Sequence, residues 1–256
     1  MTGERAEGRK LIAVTGEDRE GFLQGLVTND VARARAGLVY AALLSPQGKY
    51  LADFFLLDQG EAILIDVAEA LAGPLVQRLS MYRLRSRVTL AESPLHVSRG
   101  LGPGPAGALP DPRHATLGWR LYAGSPGGEP EIDWDAIRVA ACVPESGIEL
   151  VPDDSYILEC GFERLNGVDF RKGCYVGQEV TARMKHKTEL RKGLATVEVD
   201  GTAPVGTGIL ADGKPAGVLY TQSGGRGIAY LRFDRAEGPM TAGPARLSLA
   251  RADRPR

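Results

Sequence analysis

Arg171-Lys172-Gly173-Cys174-Tyr175-Val176-Gly177-Gln178-Glu179 is the stretch on which the reading of this chain turns. Gly173 and Gly177 bracket the thiol, and residues without a side chain let backbone approach closely and leave a cysteine accessible. Arg171 and Lys172 precede Cys174, and nearby cations favour the thiolate, the form that reacts or binds metal. The plain alternative is a cysteine that fills a small apolar gap, the commoner fate of a free thiol. Just upstream stand Leu158-Glu159-Cys160-Gly161-Phe162 and Asn166-Gly167-Val168-Asp169-Phe170, which make residues 156–194 the densest part of the sequence.

Composition limits what such a cysteine belongs to. Of 256 residues, 43% are hydrophobic and 25% charged, which suits one large domain or two to three small ones. The net charge of −1 argues against a general binder of nucleic acid or membrane surfaces, since both need a basic excess. No apolar run approaches the roughly 18 residues of a membrane span, and the segment from Met1 to Lys10 is charged with no apolar signal region behind it. The expectation is therefore a cytoplasmic protein with neither membrane nor nucleic acid among its partners. Three cysteines, Cys142, Cys160 and Cys174, give an odd count without paired spacing, so neither a disulfide framework nor a zinc site is expected. A self-contained iron–sulfur cluster usually takes about four thiolates, and His96, His114 and His186 show no ligand spacing. No metal site is predicted.

Outward from the cysteine stretch, Thr15 and Asp18 before Phe22, Leu23, Leu26 and Val27 predict a capped amphipathic helix. Val39 to Leu44 reads as a strand followed by the turn Ser45-Pro46-Gln47-Gly48. Leu51 to Leu57 and Ala62 to Val67 read as a hairpin around Asp58-Gln59-Gly60. A helix ending near Tyr82 and a strand from Arg87 to Leu90 come next. Gly100 to Pro112 and Tyr122 to Pro130 read as loops, and Asp133 or Asp135 caps a helix through Ile137, Val139 and Cys142. Beyond Gly193 come short β-like runs with a hairpin signal at Asp212-Gly213. These predict a small all-β unit, such as a barrel, behind an α+β body. Gly102, Gly104 and Gly107 match a dinucleotide fingerprint only formally, because Pro103 and Pro105 remove N–H donors that a pyrophosphate needs. Gly208 to Lys214 nearly matches a phosphate-binding loop, but Pro215 replaces the magnesium-binding Ser/Thr.

With these residues in view, a resemblance becomes specific. Lys172-Gly173-Cys174-Tyr175-Val176-Gly177-Gln178-Glu179 resembles the signature of the YgfZ family, folate-binding regulators related to mitochondrial iron–sulfur assembly factors and similar in fold to the glycine-cleavage T-protein, an aminomethyltransferase. Phe22-Leu23-Gln24-Gly25 with Thr28-Asn29-Asp30 resembles the family's N-terminal segment, and Thr181-Ala182-Arg183 through Arg191-Lys192 continues the signature. The likeness spans roughly residues 10 to 200.

The resemblance implies an α+β chain of two intertwined ferredoxin-like parts plus a C-terminal β-barrel, divided as a folate-binding body over 1–190 and a barrel over 191–256. It implies a tetrahydrofolate-binding accessory protein for iron–sulfur cluster assembly or repair, with Cys174 as the reactive group. Its partners would be a reduced folate and iron–sulfur client proteins or assembly machinery. Glu159 stands where T-proteins supply a glutamate to the pterin ring, and one carboxylate can accept both the pterin N3–H and its 2-amino group. Of the T-protein Asp-Asp pair one member remains here, as Ala52-Asp53. Asp53 either serves the folate or pairs with an arginine at a strand end. Asn29 and Tyr175 complete the implied contacts. The basic run Arg183, Lys185, His186, Lys187, Arg191, Lys192 meets a folate's glutamate tail or is a solvated face. The runner-up is a folate-dependent aminomethyltransferase, which the surviving Asp53 keeps open and the cysteine signature opposes.

Overall fold

Alternation of inward and outward side chains builds the first sheet. The computed structural model describes residues 3–186 and 190–250. The chain forms two units: Met1–Ile132, Pro152–Asp154 and Phe162–Ala182 make one, and Asp133–Val151, Ser155–Gly161 and Arg183–Arg256 the other.

In the first unit β1 (Glu4–Arg5) and β2 (Arg9–Thr15) precede α1 (Arg19–Gln24). The hairpin strands β3 (Val39–Leu44), β4 (Tyr50–Asp58) and β5 (Ala62–Ala68) lead into α2 (Glu69–Arg83) and β6 (Thr89–Glu92). A five-stranded antiparallel sheet results, in the order β3-β4-β5-β2-β6. One face buries Val14, Leu43, Phe54 and Ile65 under Leu23 of α1 and Leu75 and Leu79 of α2. Strands β7 (His96–Gly100), β8 (Leu109–Pro110) and β9 (Trp119–Ala123) join β1 in a second sheet, β1-β7-β9-β8. Because β1 precedes β2 in sequence yet belongs to the later sheet, the two sheets are interleaved along the chain, as the predicted α+β fold requires.

Asp18 does not cap α1 with its side chain. Its carboxylate accepts the backbone N–H of Arg87 at 2.7 Å, tying the helix start to the approach to β6.

The second unit opens with α3 (Trp134–Ala141), where Asp133 caps Ala136 N at 2.9 Å as expected. Helix α4 (Gln178–His186) begins at the end of the cysteine stretch, with its residues up to Ala182 in the first unit and from Arg183 in the second. Then β10 (Lys192–Asp200), β11 (Thr207–Ala211), β12 (Lys214–Ser223), β13 (Arg226–Arg232), β14 (Met240–Ala242) and β15 (Ala245–Leu249) close into a barrel, β10-β13-β12-β11-β14-β15. Closure removes the unpaired strand edges that an open sheet exposes. Alternate residues, among them Val197, Leu219, Leu231 and Leu247, fill its interior. Asp212 at φ 47° and Gly213 at φ 73° form the tight turn between β11 and β12.

Candidate functional site

The second face of the five-stranded sheet is polar where β3, β4 and β5 meet. Asp53, on β4, is 4% exposed and accepts the Tyr40 hydroxyl at 2.9 Å and the Tyr50 hydroxyl at 2.7 Å. Burial, and then the charge of Asp53, push the Tyr40 phenol well above its ordinary pKa, so it stays a donor. Its neighbour Ala52 points the other way, into the apolar core. Asp53 thus sits within a strand, bonded to tyrosines.

Three guanidiniums surround the ring of Phe55: Arg120 at 4.0 Å, Arg113 at 4.8 Å and Arg9 at 5.8 Å from its centroid. Asp66 accepts Arg9 at 2.7 Å, Arg120 at 3.1 Å and the Tyr122 hydroxyl at 2.9 Å. Asp111 takes Arg113 at 2.8 Å and Arg120 at 3.1 Å, and although burial opposes it, the two arginines hold its carboxyl well below the usual range. Three arginines therefore meet two carboxylates, Asp66 and Asp111, inside this unit, so that each guanidinium has a carboxylate partner, without which buried charge is prohibitive.

Thr28-Asn29-Asp30 stitches residues 166–169 to the sheet. Thr28 donates to Gly167 O at 2.7 Å and accepts Ala42 N at 2.8 Å. Asn29 Nδ2 donates to Tyr40 O at 2.8 Å and Asn166 O at 2.7 Å, and its Oδ1 accepts Asp30 N at 2.9 Å. A pocket of about 280 Å³ opens beside Asn29, Arg33, Tyr40, Pro112 and Asn166. Asn166 adopts φ 55°, and a Cβ on Gly167 would lie 2.5 Å from the Phe162 ring, so the Asn-Gly pair is a packing requirement.

Cys174 is exposed, whereas Cys142 and Cys160 are buried. The ammonium of Lys172 does not idle beside it: Nζ donates to Gln24 O at 2.6 Å and Val27 O at 2.5 Å and lies 5.1 Å from the Tyr175 ring centroid. Tyr175, 9% exposed, donates its N–H to Gln178 Oε1 at 3.2 Å. Burial raises its phenol pKa.

Glu159, Arg183 and Arg191 belong to the second unit. Glu159 Oε2 accepts the Tyr230 hydroxyl at 2.6 Å, and its backbone carbonyl accepts Leu194 N at 2.8 Å. A carboxylate has about four acceptor positions, and the Tyr230 hydroxyl occupies one of those on Glu159. Burial pushes the Cys160 thiol up to about 12. Arg183 and Arg191 are exposed, and Lys187 of the basic run lies outside the described residues. Arg138, 4% exposed on α3, joins Asp135 at 2.9 Å, Glu145 at 3.0 Å and Glu149 at 3.2 Å, and donates to Thr221 Oγ1 at 3.0 Å. Tyr230, Tyr40 and Asn166 escape sequence reading, since each acts through a partner distant in the chain; Tyr50, three residues from its partner Asp53, escapes it as well.

Comparison with known proteins places this geometry. Residues 191–255 match the family model described as CAF17, C-terminal beta-barrel domain. The chain is 33% identical to the mitochondrial iron-sulfur cluster assembly factor IBA57 of Mus musculus, over 92% of this chain and 79% of the relative. It is 34% identical to the same-named protein of Homo sapiens, with the same shares covered. The crystal structure of glycine cleavage system aminomethyltransferase T from Bartonella henselae superposes with a TM-score of 0.76 at 14% identity, covering 97% of this chain and 86% of that one. The fold is therefore that of the T-protein, as expected. The cytoplasmic expectation is overturned: these relatives are named mitochondrial. The near-neutral charge and lack of a long apolar run constrain how a chain is solvated, and both are compatible with either compartment. Among the described residues no helix is long and apolar enough to cross a membrane.

Proposed function

Because the chain belongs to the family of IBA57 iron-sulfur cluster assembly factors, we propose that it serves iron–sulfur cluster assembly or repair through the thiol of Cys174. Its partners are assembly machinery or client proteins, and a reduced folate is its small-molecule ligand, as in the YgfZ-type proteins that its signature resembles. The observation that carries the reading is the exposure of Cys174 while the other two cysteines are buried. A thiol must be reached by its partner before it can hold iron or exchange sulfur.

The folate part rests on Glu159. Its carboxylate, oriented by Tyr230, would take the pterin donors, with Arg183 and Arg191 of the same unit as cations for a glutamate tail. Asn29 and Asp53 would shape the first unit from within, since the hydrogen bonds they make are to the protein's own groups. Aminomethyl transfer finds less support. Of the two positions that carry carboxylates in T-proteins, Ala52 is packed in the apolar core and Asp53 is held by two tyrosines.

In a strain lacking this chain, Cys174→Ser should fail to restore iron–sulfur enzyme activity, while the wild type restores it. Full restoration by the serine variant would remove the thiol from the function. Calorimetric titration with tetrahydrofolate tests the ligand separately, and undetectable binding would end the folate part alone.

A further inference from the structure

We propose that Lys172 is a positioning residue for Cys174, tying the arch that carries the thiol to the carbonyl end of α1. The proposal rests on the reading of Cys174 as the working group. Phe170, Arg171, Gly173 and Cys174 are all exposed, and a Cβ built on Gly173 would meet nothing within 4 Å. The feet of this arch are fixed. Asp169 donates its N–H to Thr28 O at 3.0 Å. Tyr175 is buried, and Gly177, at φ 82°, lies so close to the sheet that a Cβ there would stand 2.5 Å from Ser45 O.

Between the feet, Lys172 is the arch residue that turns inward. An ammonium has three N–H donors and no acceptor. Two of them meet Gln24 O and Val27 O, where α1 runs out, and the remaining side faces the Tyr175 ring. Carbonyls at the end of a helix lack intrahelical partners, and a cation there is favoured by the helix dipole. Two residues of extended chain span at most about 7 Å, so holding the ammonium confines where the thiol can stand. Burial lowers the Lys172 pKa to about 8, against the opposing charges of Asp30 and Asp169. The role is therefore one of fit: arginine brings a longer, planar fork that does not converge on the same two carbonyls and ring.

The test uses the full chain with Lys172→Met and Lys172→Arg, beside the wild type and Cys174→Ser. Amide hydrogen exchange over residues 170–174 should speed up about tenfold or more in Lys172→Met, as expected for losing one to two charge-assisted bonds, with exchange in β3 and β4 unchanged. Support of iron–sulfur enzymes in the deletion strain should fall in the same variant, and Lys172→Arg should rescue neither readout. Lys172→Gln, which keeps donors without charge, should fall between and replaces Lys172→Met if that variant fails to fold. Unchanged exchange in the Met or Gln variant overturns the tether, as does full rescue by Arg, which would leave charge as the sole requirement. If Cys174→Ser supports the strain fully, the thiol reading fails by itself, and the exchange comparison still judges the tether.

Discussion

Replacing Asp53 with alanine removes the acceptor of a phenol that has no exposed surface. Tyr40 is fully buried and donates to Asp53 Oδ2 at 2.9 Å, so its orphaned hydroxyl should cost about 1–3 kcal/mol. Tyr50 loses its 2.7 Å bond to Oδ1, worth roughly a further 0.5–1.5 kcal/mol net. The sum, about 1.5–4.5 kcal/mol, corresponds to a fall in Tm of about 3–18 °C for a chain of this size. The assay is thermal and urea unfolding followed by tryptophan emission. Trp119 and Trp134 lie one in each unit, so a Trp134→Phe background makes emission report on the unit that holds Asp53. Adding Tyr40→Phe to Asp53→Ala should recover about 1–3 kcal/mol by removing the orphaned hydroxyl. The reasoning is refuted if Asp53→Ala loses less than about 1 kcal/mol, or if Tyr40→Phe deepens the loss. Either result would mean that the carboxylate is not the acceptor holding these phenols.

Other expectations follow from the same contacts. Glu159→Gln should weaken tetrahydrofolate binding about 10- to 100-fold, the loss of one to two charge-assisted contacts; calorimetry reads it, and an unchanged dissociation constant removes Glu159 from the site. Lys172, with its pKa lowered to about 8, releases its proton earlier folded than unfolded. Between that pH and roughly 10.4, the ordinary lysine value, the unfolded state binds more protons, so wild-type stability should rise with pH relative to Lys172→Met. Urea midpoints across pH 7–11 would show it, and parallel curves would contradict the burial of the ammonium. Glu149→Ala leaves Arg138 without its most buried partner and should cost about 3–5 kcal/mol, seen as early loss of the Trp134 signal on unfolding; a loss within experimental error would mean that Asp135 and Glu145 suffice.

Legibility in the sequence followed the range of the interaction. Asp58-Gln59-Gly60, Asp133 and Asp212-Gly213 act on neighbours a few residues away, and each turn or cap formed where its chemistry predicts. The barrel could be foreseen from evenly spaced short strands. Strand β9 was hidden, because Arg120 and Tyr122 occupy inward positions that alternation expects to be apolar. They are inward because Asp66, more than fifty residues earlier, receives them both. Lys172 misled in the same way. As a neighbour in sequence it looked like an activator of Cys174, yet its ammonium is spent on carbonyls some 145 residues upstream. Exposure of Cys174 was legible from its flanking glycines, whereas the tyrosine bonds to Asp53 and Glu159 needed the fold.

Burial of Cys142 and Cys160 also decides how the chain recovers from oxidation. A sulfenic acid formed on Cys174 condenses with a second thiol to a disulfide with loss of water, and a further thiol then exchanges into that disulfide to return Cys174 to the thiol. Cys160 is held protonated at neutral pH by a pKa pushed up to about 12, and both it and Cys142 are out of solvent. Neither is a resolving partner, so repair is intermolecular and falls to glutathione or to a cysteine on a docked protein. On the proposed reading of Cys174 as the working group, the oxidised chain stays exposed to irreversible conversion to the sulfinic acid until such a thiol arrives, so its resistance to peroxide follows the supply of thiols around it.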